Sequence, residues 1–268
     1  MPKNLILVRH GQSEGNVASG LSHHGDHSAF TEAFKDRHGS TWRLSKKGRE
    51  QALSAGKYLK QLGIVFDRHY VSEYLRAMET ASLLDIPDAE WYVDFYLRER
   101  DWGEMEVMSI EEREKRYADT LRRRKASPFY WTPPNGQSMA DLCLRVDRVI
   151  ETLHRECAGR NVIIVCHGEV MSAFQVRLER MSQERFRELC LSRDPKVRIN
   201  NCQIIHYTRA DNPNQYADGN SLPHVAWVRS VCPWDEERSS DWRQISRQTY
   251  SNEALYERVE ATQPMPDR

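Results

Sequence analysis

Two histidines in this sequence each follow a short apolar run and precede a glycine. His10 comes shortly after residues 5–8, and His167 comes directly after residues 162–166. Runs of this kind are typical of strands buried on both faces of a parallel sheet. In open parallel sheets, ligands bind beyond the carboxyl ends of the strands. We therefore expect the two histidines to lie in one crevice.

Two arginines are predicted to join them. Arg9 precedes His10, and Arg76 lies in the first turn of a helix that follows a third strand near residues 69–71. Because it is costly to bring like charges together, such a cluster needs an anion. Planar guanidinium groups and helix N-termini suit a phosphoryl group. Taken singly, each histidine is more often structural and Arg76 is an ordinary solvated residue, so the prediction rests on their coincidence.

Helices and strands that alternate along the chain must position these residues. Helical spacing and capping residues predict helices over 45–62, from about 75, from 138 and over 170–179, and a final strand over 202–207. This order predicts an α/β fold, a three-layer sandwich with a mostly parallel central sheet flanked by helices.

Two stretches do not follow the alternation. Residues 100–137 are rich in charged and aromatic side chains, and we interpret them as a cap-like insertion over the active-site end. Residues 209–268 are polar but contain Trp227, Trp234 and Trp242. We expect a catalytic domain over 1–208, with an irregular C-terminal extension packed on it.

Five blocks resemble those of the histidine phosphatase superfamily, in its phosphoglycerate mutase-like branch. They are LVRHGQSEGN at 7–16, LSKKGREQA at 44–52, SEYLRAMETA at 72–81, LRERDWGE at 97–104 and VCHG at 165–168. The segment over 134–141 is most similar to plant and fungal phosphoglycerate-mutase-like proteins. The resemblance implies the phosphoglycerate mutase-like fold.

The resemblance also implies roles for the site. His10 attacks phosphorus and becomes phosphohistidine, while Gly11 holds its other ring nitrogen. Glu99 protonates the leaving oxygen and then deprotonates water. The phosphoryl oxygens are held by Arg9, Asn16, Arg76 and His167. No metal and no cofactor are expected.

Several assignments keep alternatives. Glu104 and Glu106 compete with Glu99 as the acid, although Glu99 is favoured. We assign Gln12, Arg122 and Arg123 to substrate binding. For the basic run over 122–125, a solvated helix end is the first interpretation, a substrate contact the second and a nucleic-acid contact the third. His23 and His27 could hold a metal on one helix face, although Gly25 between them favours a solvated loop.

The predicted function is hydrolysis of a small phosphorylated metabolite through phosphohistidine. Residues 134–141 resemble a stretch common in the phosphatase members, with Gln137 in place of a glutamate. Phosphoglycerate mutase-type transfer is the alternative, and a non-catalytic interaction protein is a third.

Composition bounds the partners. The chain has 268 residues, equal numbers of basic and acidic side chains and no net charge, so no global field favours nucleic acid or membrane. Its six cysteines form no C-x-x-C pair, and no apolar stretch suits a signal peptide or a membrane span. We expect a cytoplasmic protein, with a homodimer as one option.

Overall fold

A computed structural model describes residues 1–262 except 193, 195 and 218. It contains one seven-stranded sheet in the order β3-β2-β4-β1-β5-β6-β7. The strands are β1 Asn4–Arg9, β2 Arg68–Ser72, β3 Trp91–Asp94, β4 Asn161–Cys166, β5 Ile204–Thr208, β6 Trp227–Val231 and β7 Arg243–Gln244.

Nine α-helices belong to the described residues. They are α1 Glu14–His23, α2 Glu32–Lys35, α3 Lys46–Gln61, α4 Leu75–Leu83, α5 Ile110–Ala126, α6 Met139–Glu156, α7 Gly168–Leu178, α8 Gln183–Leu191 and α9 Asn252–Glu260. None of the helices in the described ranges is long and apolar enough to cross a membrane.

The sheet has a parallel core with an antiparallel side. Strands β3, β2, β4 and β1 run parallel, whereas β5, β6 and β7 each pair antiparallel with the preceding neighbour. The predicted α/β sandwich is confirmed, although its parallel part spans only four strands. Strand β5 is antiparallel because the chain re-enters the sheet at the carboxyl end of β1. There, Cys202 N donates to His10 O at 3.2 Å, so β5 starts where β1 ends and runs in the opposite direction.

Helices cover both faces of the core strands, and the residues between the strand ends, 5–8 in β1 and 162–165 in β4, are all apolar. Leu5 and Leu7 face the side covered by α6 and α7, and Ile6 and Val8 face the side covered by α3 and α4. This alternation is the period of two expected of a strand. The two central strands are thereby held on both sides, which fixes the ends that carry the histidines.

The capping residues predicted from the sequence begin two of the helices that pack on the sheet, α3 and α6. Ser45 Oγ accepts from Gly48 N at 3.1 Å at the start of α3. At the start of α6, Ser138 N donates to Asp141 Oδ2 at 2.9 Å and Asp141 N donates to Ser138 Oγ at 3.0 Å, forming a capping box.

The C-terminal segment is more regular than the sequence predicted. Residues after 209 supply β6 and β7 to the same sheet, and α9 follows. The free edge of β5 offers backbone hydrogen bonds, and Val228 becomes buried on it. These long-range contacts leave little trace in a polar sequence. Residues 263–268 of the predicted extension lie outside the described residues.

Candidate active site

His10 stands at the end of β1 with both ring nitrogens engaged. Since a carbonyl can only accept, Nδ1–H donates to Gly11 O at 2.7 Å. Nε2 accepts from Arg76 Nε at 3.2 Å and therefore carries the lone pair. Burial, and then the charges of Arg76 and Arg9, hold the pKa of His10 well below its ordinary value. The ring is a neutral imidazole with its nucleophilic nitrogen aimed at a guanidinium.

The position of His10 depends on a close contact between Gly11 and the start of α3. A Cβ on Gly11 would lie 2.3 Å from Gly48 O, so only glycine fits there. Gly11 N also donates to Thr80 Oγ1 at 3.0 Å. The chain after β1 is thus held against two helices.

Arg9 and Arg76 place two guanidinium groups beside His10. Arg9 Nη1 donates to Ile199 O at 2.6 Å, while its buried Nε has no protein partner among the described residues. Arg76 is 4% exposed and donates through Nη1 to Gly39 O at 2.6 Å. Burial lowers the pKa of both arginines. One half-buried and one buried cation with spare donors create a site that an anion would stabilise.

His167 meets His10 edge to face. Their ring centroids are 5.1 Å apart, and His167 is fully buried at the end of β4. Its Nε2 lies 2.8 Å from Ser72 Oγ, whereas its buried Nδ1 has no partner within the described part of the chain. Burial, and then Arg76, hold the pKa of His167 well below its ordinary value. The ring therefore offers a neutral nitrogen to the site.

Asn16 lies in the first turn of α1 and turns its carbonyl away from any ligand. Asn16 Oδ1 accepts from Ser13 N at 3.2 Å and from Asn201 Nδ2 at 2.9 Å. Its amide NH₂ is the end left for an anion. Asn201 also donates to His10 O at 3.1 Å. Sequence reasoning missed Asn201, because it lies 191 residues from His10 and belongs to no motif.

Glu99 is half-buried next to this cluster. Its Oε1 accepts from Arg100 N at 2.9 Å. Burial, and then the neighbouring charge of Glu169, raise the pKa of Glu99 to about 6. A carboxyl group with this pKa can both give and take a proton near neutral pH.

The two alternative carboxylates differ in their surroundings. Glu104 Oε1 accepts from Asn135 at 2.8 Å, and Oε2 pairs with Arg116 at 3.1 Å within the insertion. Glu106 packs against Gly39, where a Cβ would lie 2.2 Å from Glu106 Oε1. Burial raises the pKa of Glu106, although Arg76 opposes that shift. Glu104 is occupied by its own partners, whereas Glu106 lies near enough to Arg76 for their charges to interact.

Arg145 on α6 holds the backbone that carries Glu99, a role the sequence did not reveal. Its guanidinium is buried and donates to the carbonyls of Tyr96, Arg98 and Glu99. Gln137 Oε1 accepts from Arg145 Nη2 at 3.1 Å. Gln137, which stands where the related phosphatase stretch has a glutamate, thus helps to hold the segment that carries Glu99.

Three residues predicted to bind substrate have other surroundings. Gln12 Oε1 accepts from Ser45 Oγ at 2.7 Å and so supports the start of α3. The structure does not bring Arg122 or Arg123 to the site: both are exposed, and Arg122 pairs with Asp119. A helix turns about 100° per residue, and Arg124 is the one that points inward, 4.7 Å from the Trp102 ring centre.

The histidines of the 23–27 segment do not share a helix face, because α1 ends at His23. His27 Nδ1 lies 2.9 Å from Ser22 Oγ, and its Nε2 lies 3.3 Å from Glu111. Within the described ranges, no three His, Cys, Asp or Glu side chains are grouped closely enough to hold a metal ion.

Comparisons with known proteins show the family to which the chain belongs. Residues 5–212 match the histidine phosphatase superfamily (branch 1). A 2,3-bisphosphoglycerate-dependent phosphoglycerate mutase of Bartonella bacilliformis is 32% identical over 193 residues, which cover 69% of this chain and 85% of the mutase. Human 6-phosphofructo-2-kinase/fructose-2,6-bisphosphatase 1 is 29% identical over 170 residues, which cover 63% of this chain and 31% of that protein.

Solved structures share the fold at lower identity. A mycobacterial glucosyl-3-phosphoglycerate phosphatase superposes with a TM-score of 0.61 and 22% identity, covering 76% of this chain and 92% of the other. The alpha-ribazole phosphatase from Shigella flexneri has a TM-score of 0.60 and 22% identity, with 83% and 95% covered. These likenesses establish the fold, and the family match establishes the lineage. The chain belongs to branch 1 of the histidine phosphatase superfamily.

Proposed function

We propose that this protein hydrolyses phosphomonoesters through a phosphohistidine on His10. The observation that carries the proposal is the tautomer: Nδ1–H is bound to Gly11 O, so the lone pair lies on Nε2 beside Arg76. A buried neutral imidazole among unpaired cationic donors is suited to attack a phosphorus atom whose charge those donors neutralise.

In the first step, His10 Nε2 forms a bond to phosphorus while the bond to the ester oxygen breaks. The electron pair of that bond leaves with the oxygen, which takes a proton from the carboxyl group of Glu99. Arg9 Nε, His167 and the amide of Asn16 hold the phosphoryl oxygens. These groups stabilise the charge that spreads over the oxygens in the transition state.

In the second step, water attacks the phosphorus of phosphohistidine. The Glu99 carboxylate takes a proton from that water, the phosphorus–nitrogen bond breaks and His10 recovers its lone pair. Inorganic phosphate leaves, and Glu99 is again protonated. A group whose pKa is near 6 can serve in both directions within one cycle.

The family match supports the proposed substrate class, and so do the names of the reported relatives, which include a phosphoglycerate mutase, a glucosyl-3-phosphoglycerate phosphatase and an alpha-ribazole phosphatase. The proposed substrate is a phosphorylated metabolite, and the proposed chemistry needs no cofactor. The expected similarity of this chain to plant and fungal phosphoglycerate-mutase-like proteins also remains a proposal. The relatives reported above are bacterial and animal.

Phosphoglycerate mutase activity is the second candidate, and the bacterial relatives at about 30% identity favour it. Both activities share the phosphohistidine and differ in the acceptor. A mutase must exclude water and return the phosphoryl group to a bound acid.

Rapid-quench experiments with a radiolabelled ester test the proposal. We expect a burst of phosphoenzyme, release of phosphate to water, and no isomerisation of 3-phosphoglycerate with or without 2,3-bisphosphoglycerate. His10→Ala is expected to remove burst and turnover together. Isomerisation faster than hydrolysis would assign the mutase function. No phosphoenzyme with any ester would instead favour a non-catalytic interaction protein.

A further inference from the structure

A cleft of about 1300 Å³ opens from the active site. Arg9 and Glu99 line it at the active-site end. It then follows one face of α7, whose lining residues recur every three or four positions: Gly168, Ser172, Gln175 and Glu179. At 1.5 Å per residue this face is about 16 Å long. The cleft therefore leads well away from the reacting atoms.

Apolar and polar groups from distant segments complete the walls. Ile205 and Val228 form a floor on the sheet, and Phe186 and Leu189 face it from α8. The far end is lined by residues 240–250 of the C-terminal segment. The volume exceeds the roughly 300–1,000 Å³ of usual small-molecule pockets, so the cleft holds far more than a three-carbon acid.

The cleft carries an excess of positive charge. Seven basic residues line it against four acidic ones. Two of the acids have partners already: Glu179 accepts from Tyr207 Oη at 2.8 Å and pairs with Arg243, and Glu169 accepts from Arg100 at 3.1 Å. The free charge is thus positive.

Two of the basic residues, Lys196 and Arg198, lie on the segment that leads to Ile199 and have no acidic partner among the described residues. Among the described residues, no carboxylate lies within 4.0 Å of the charged groups of Lys196 or Arg198. Arg198 precedes Ile199, whose carbonyl accepts from Arg9 at 2.6 Å. The segment that carries these two cations in the cleft wall therefore contacts Arg9, which we propose to hold the phosphoryl oxygens.

The direction of the leaving group links this cleft to the reaction. The acid must contact the leaving oxygen, and Glu99 lines the mouth of the cleft. We infer that the substrate is a phosphomonoester with an extended leaving group that bears a second anionic group, which Lys196 and Arg198 bind. The inference rests on the proposed phosphatase function and adds the substrate class to it.

Matched pairs of alkyl phosphates test the inference. One member of each pair ends in a carboxylate and the other in the neutral primary amide, and the chain length increases through the series. For the wild type we expect kcat/KM to pass through a maximum with length. At that length the carboxylate is favoured by about fivefold, mainly through KM, as for a partly exposed ion pair. Added salt should reduce this preference.

Variants on two segments separate binding from general effects. The double variant Lys196→Gln/Arg198→Gln should bring the carboxylate-to-amide ratio close to one. Arg187→Gln, on the exposed side of α8 and outside the cleft lining, should keep the wild-type ratio. A terminal phosphate in place of the carboxylate shows which anion the site prefers.

Two outcomes would overturn the inference, and they can be told apart. If nitrophenyl phosphate is hydrolysed but the carboxylate and amide esters have equal kcat/KM at every length, the anion site does not exist and the phosphatase function stands. If nitrophenyl phosphate is not hydrolysed and no phosphoenzyme forms, the proposed function fails and the inference fails with it.

Discussion

At the scale of single residues, the proposed reaction depends on two protons, one on Nδ1 of His10 and one on the carboxyl group of Glu99. His10 donates through Nδ1 to a carbonyl, so its Nε2 stays unprotonated without help from a carboxylate. Burial of the ring, and then the charges of Arg76 and Arg9, reinforce this by disfavouring the imidazolium. Glu99 is the reverse case, since burial keeps its proton in place to a higher pH. Opposite pKa shifts in neighbouring groups distinguish nucleophile from acid.

The raised pKa of Glu99 predicts a pH dependence. The protonated form is needed to expel a poor leaving group, so the wild-type advantage over Glu99→Gln should fall as the pH rises through about 6. Comparing the two proteins on the same ester removes the ester's own ionisation. Below that pH we expect Glu99→Gln to lose about 10²–10⁴ in kcat/KM on an alkyl phosphate and far less on nitrophenyl phosphate.

Glu104→Gln is the matched control, since Glu104 is held by Asn135 and Arg116. We expect this variant to keep the wild-type pH profile and the wild-type preference between esters. A larger loss in Glu104→Gln than in Glu99→Gln would move the acid to Glu104. An equal loss of kcat/KM on both esters in Glu99→Gln would also count against Glu99 as the acid.

Arg145 is predicted to act as a positioning residue. Arg145→Gln leaves carbonyls of the 96–99 segment without donors, which should lower the free energy of unfolding by about 1–3 kcal/mol. It should also slow alkyl phosphates more than nitrophenyl phosphate, and Arg145→Lys should restore part of that difference. Kinetics with both esters and urea unfolding measure the two effects. A stability loss with an unchanged ester preference would make Arg145 merely structural.

At the scale of elements, the junction of β1 with α3 is predicted to tolerate no side chain. Gly11→Ala would bring Cβ to 2.3 Å from Gly48 O, a backbone atom that cannot move aside alone. We expect a loss of about 1–3 kcal/mol in stability, as for overpacking, together with a large loss of phosphoenzyme formation. Thermal unfolding and quench experiments measure both.

Gly20→Ala is the same substitution at a position with free space, and it serves as the control for Gly11→Ala. Gly20 is exposed within α1, and nothing lies within 4 Å of an added Cβ. The variant should gain up to about 1 kcal/mol from helix propensity and keep full activity. If Gly11→Ala were as stable and as active as Gly20→Ala, the close contact would have no functional role.

The elements differ in how far the sequence predicts them. Strands β1 and β4 and the capped helices α3 and α6 were predictable, because burial and capping depend on nearby residues. Strands β6 and β7 were not, since β6 forms only on the edge of β5 and β7 only on the edge of β6. Likewise, the basic run over 122–125 is visible in the sequence, but the sequence does not show which of its side chains point inward. In α5, Arg124 packs inward and Arg122 is exposed.

At the scale of the whole molecule, the C-terminal segment is part of the sheet. Arg229 on β6 packs over Trp242 at 4.6 Å, and His206 on β5 meets the same ring at 4.9 Å. Trp242→Ala should cost about 2 kcal/mol through these lost contacts. Urea unfolding measures the cost. Tyr256→Ala, on the exposed α9, should cost almost nothing, and equal costs would show that the segment is not held through Trp242.

The site itself was predictable only in part, and the reason is again distance along the chain. His10, Arg9, Arg76 and His167 lie in motifs at strand ends, where topology alone brings them together. Asn201 and Arg145 lie in no motif, and their contacts depend on how loops and helices close over the sheet. The cleft along α7 also needs segments that are far apart in sequence.

The measurement that tests the central claim most directly is the identification of the phosphorylated atom. Phosphoenzyme trapped at short times should be analysed by peptide mapping and ³¹P NMR. The account predicts a single phosphohistidine at His10, with phosphorus on Nε2, because Nδ1 is committed to Gly11 O. Phosphate on Nδ1, on His167 or on any other residue would contradict it.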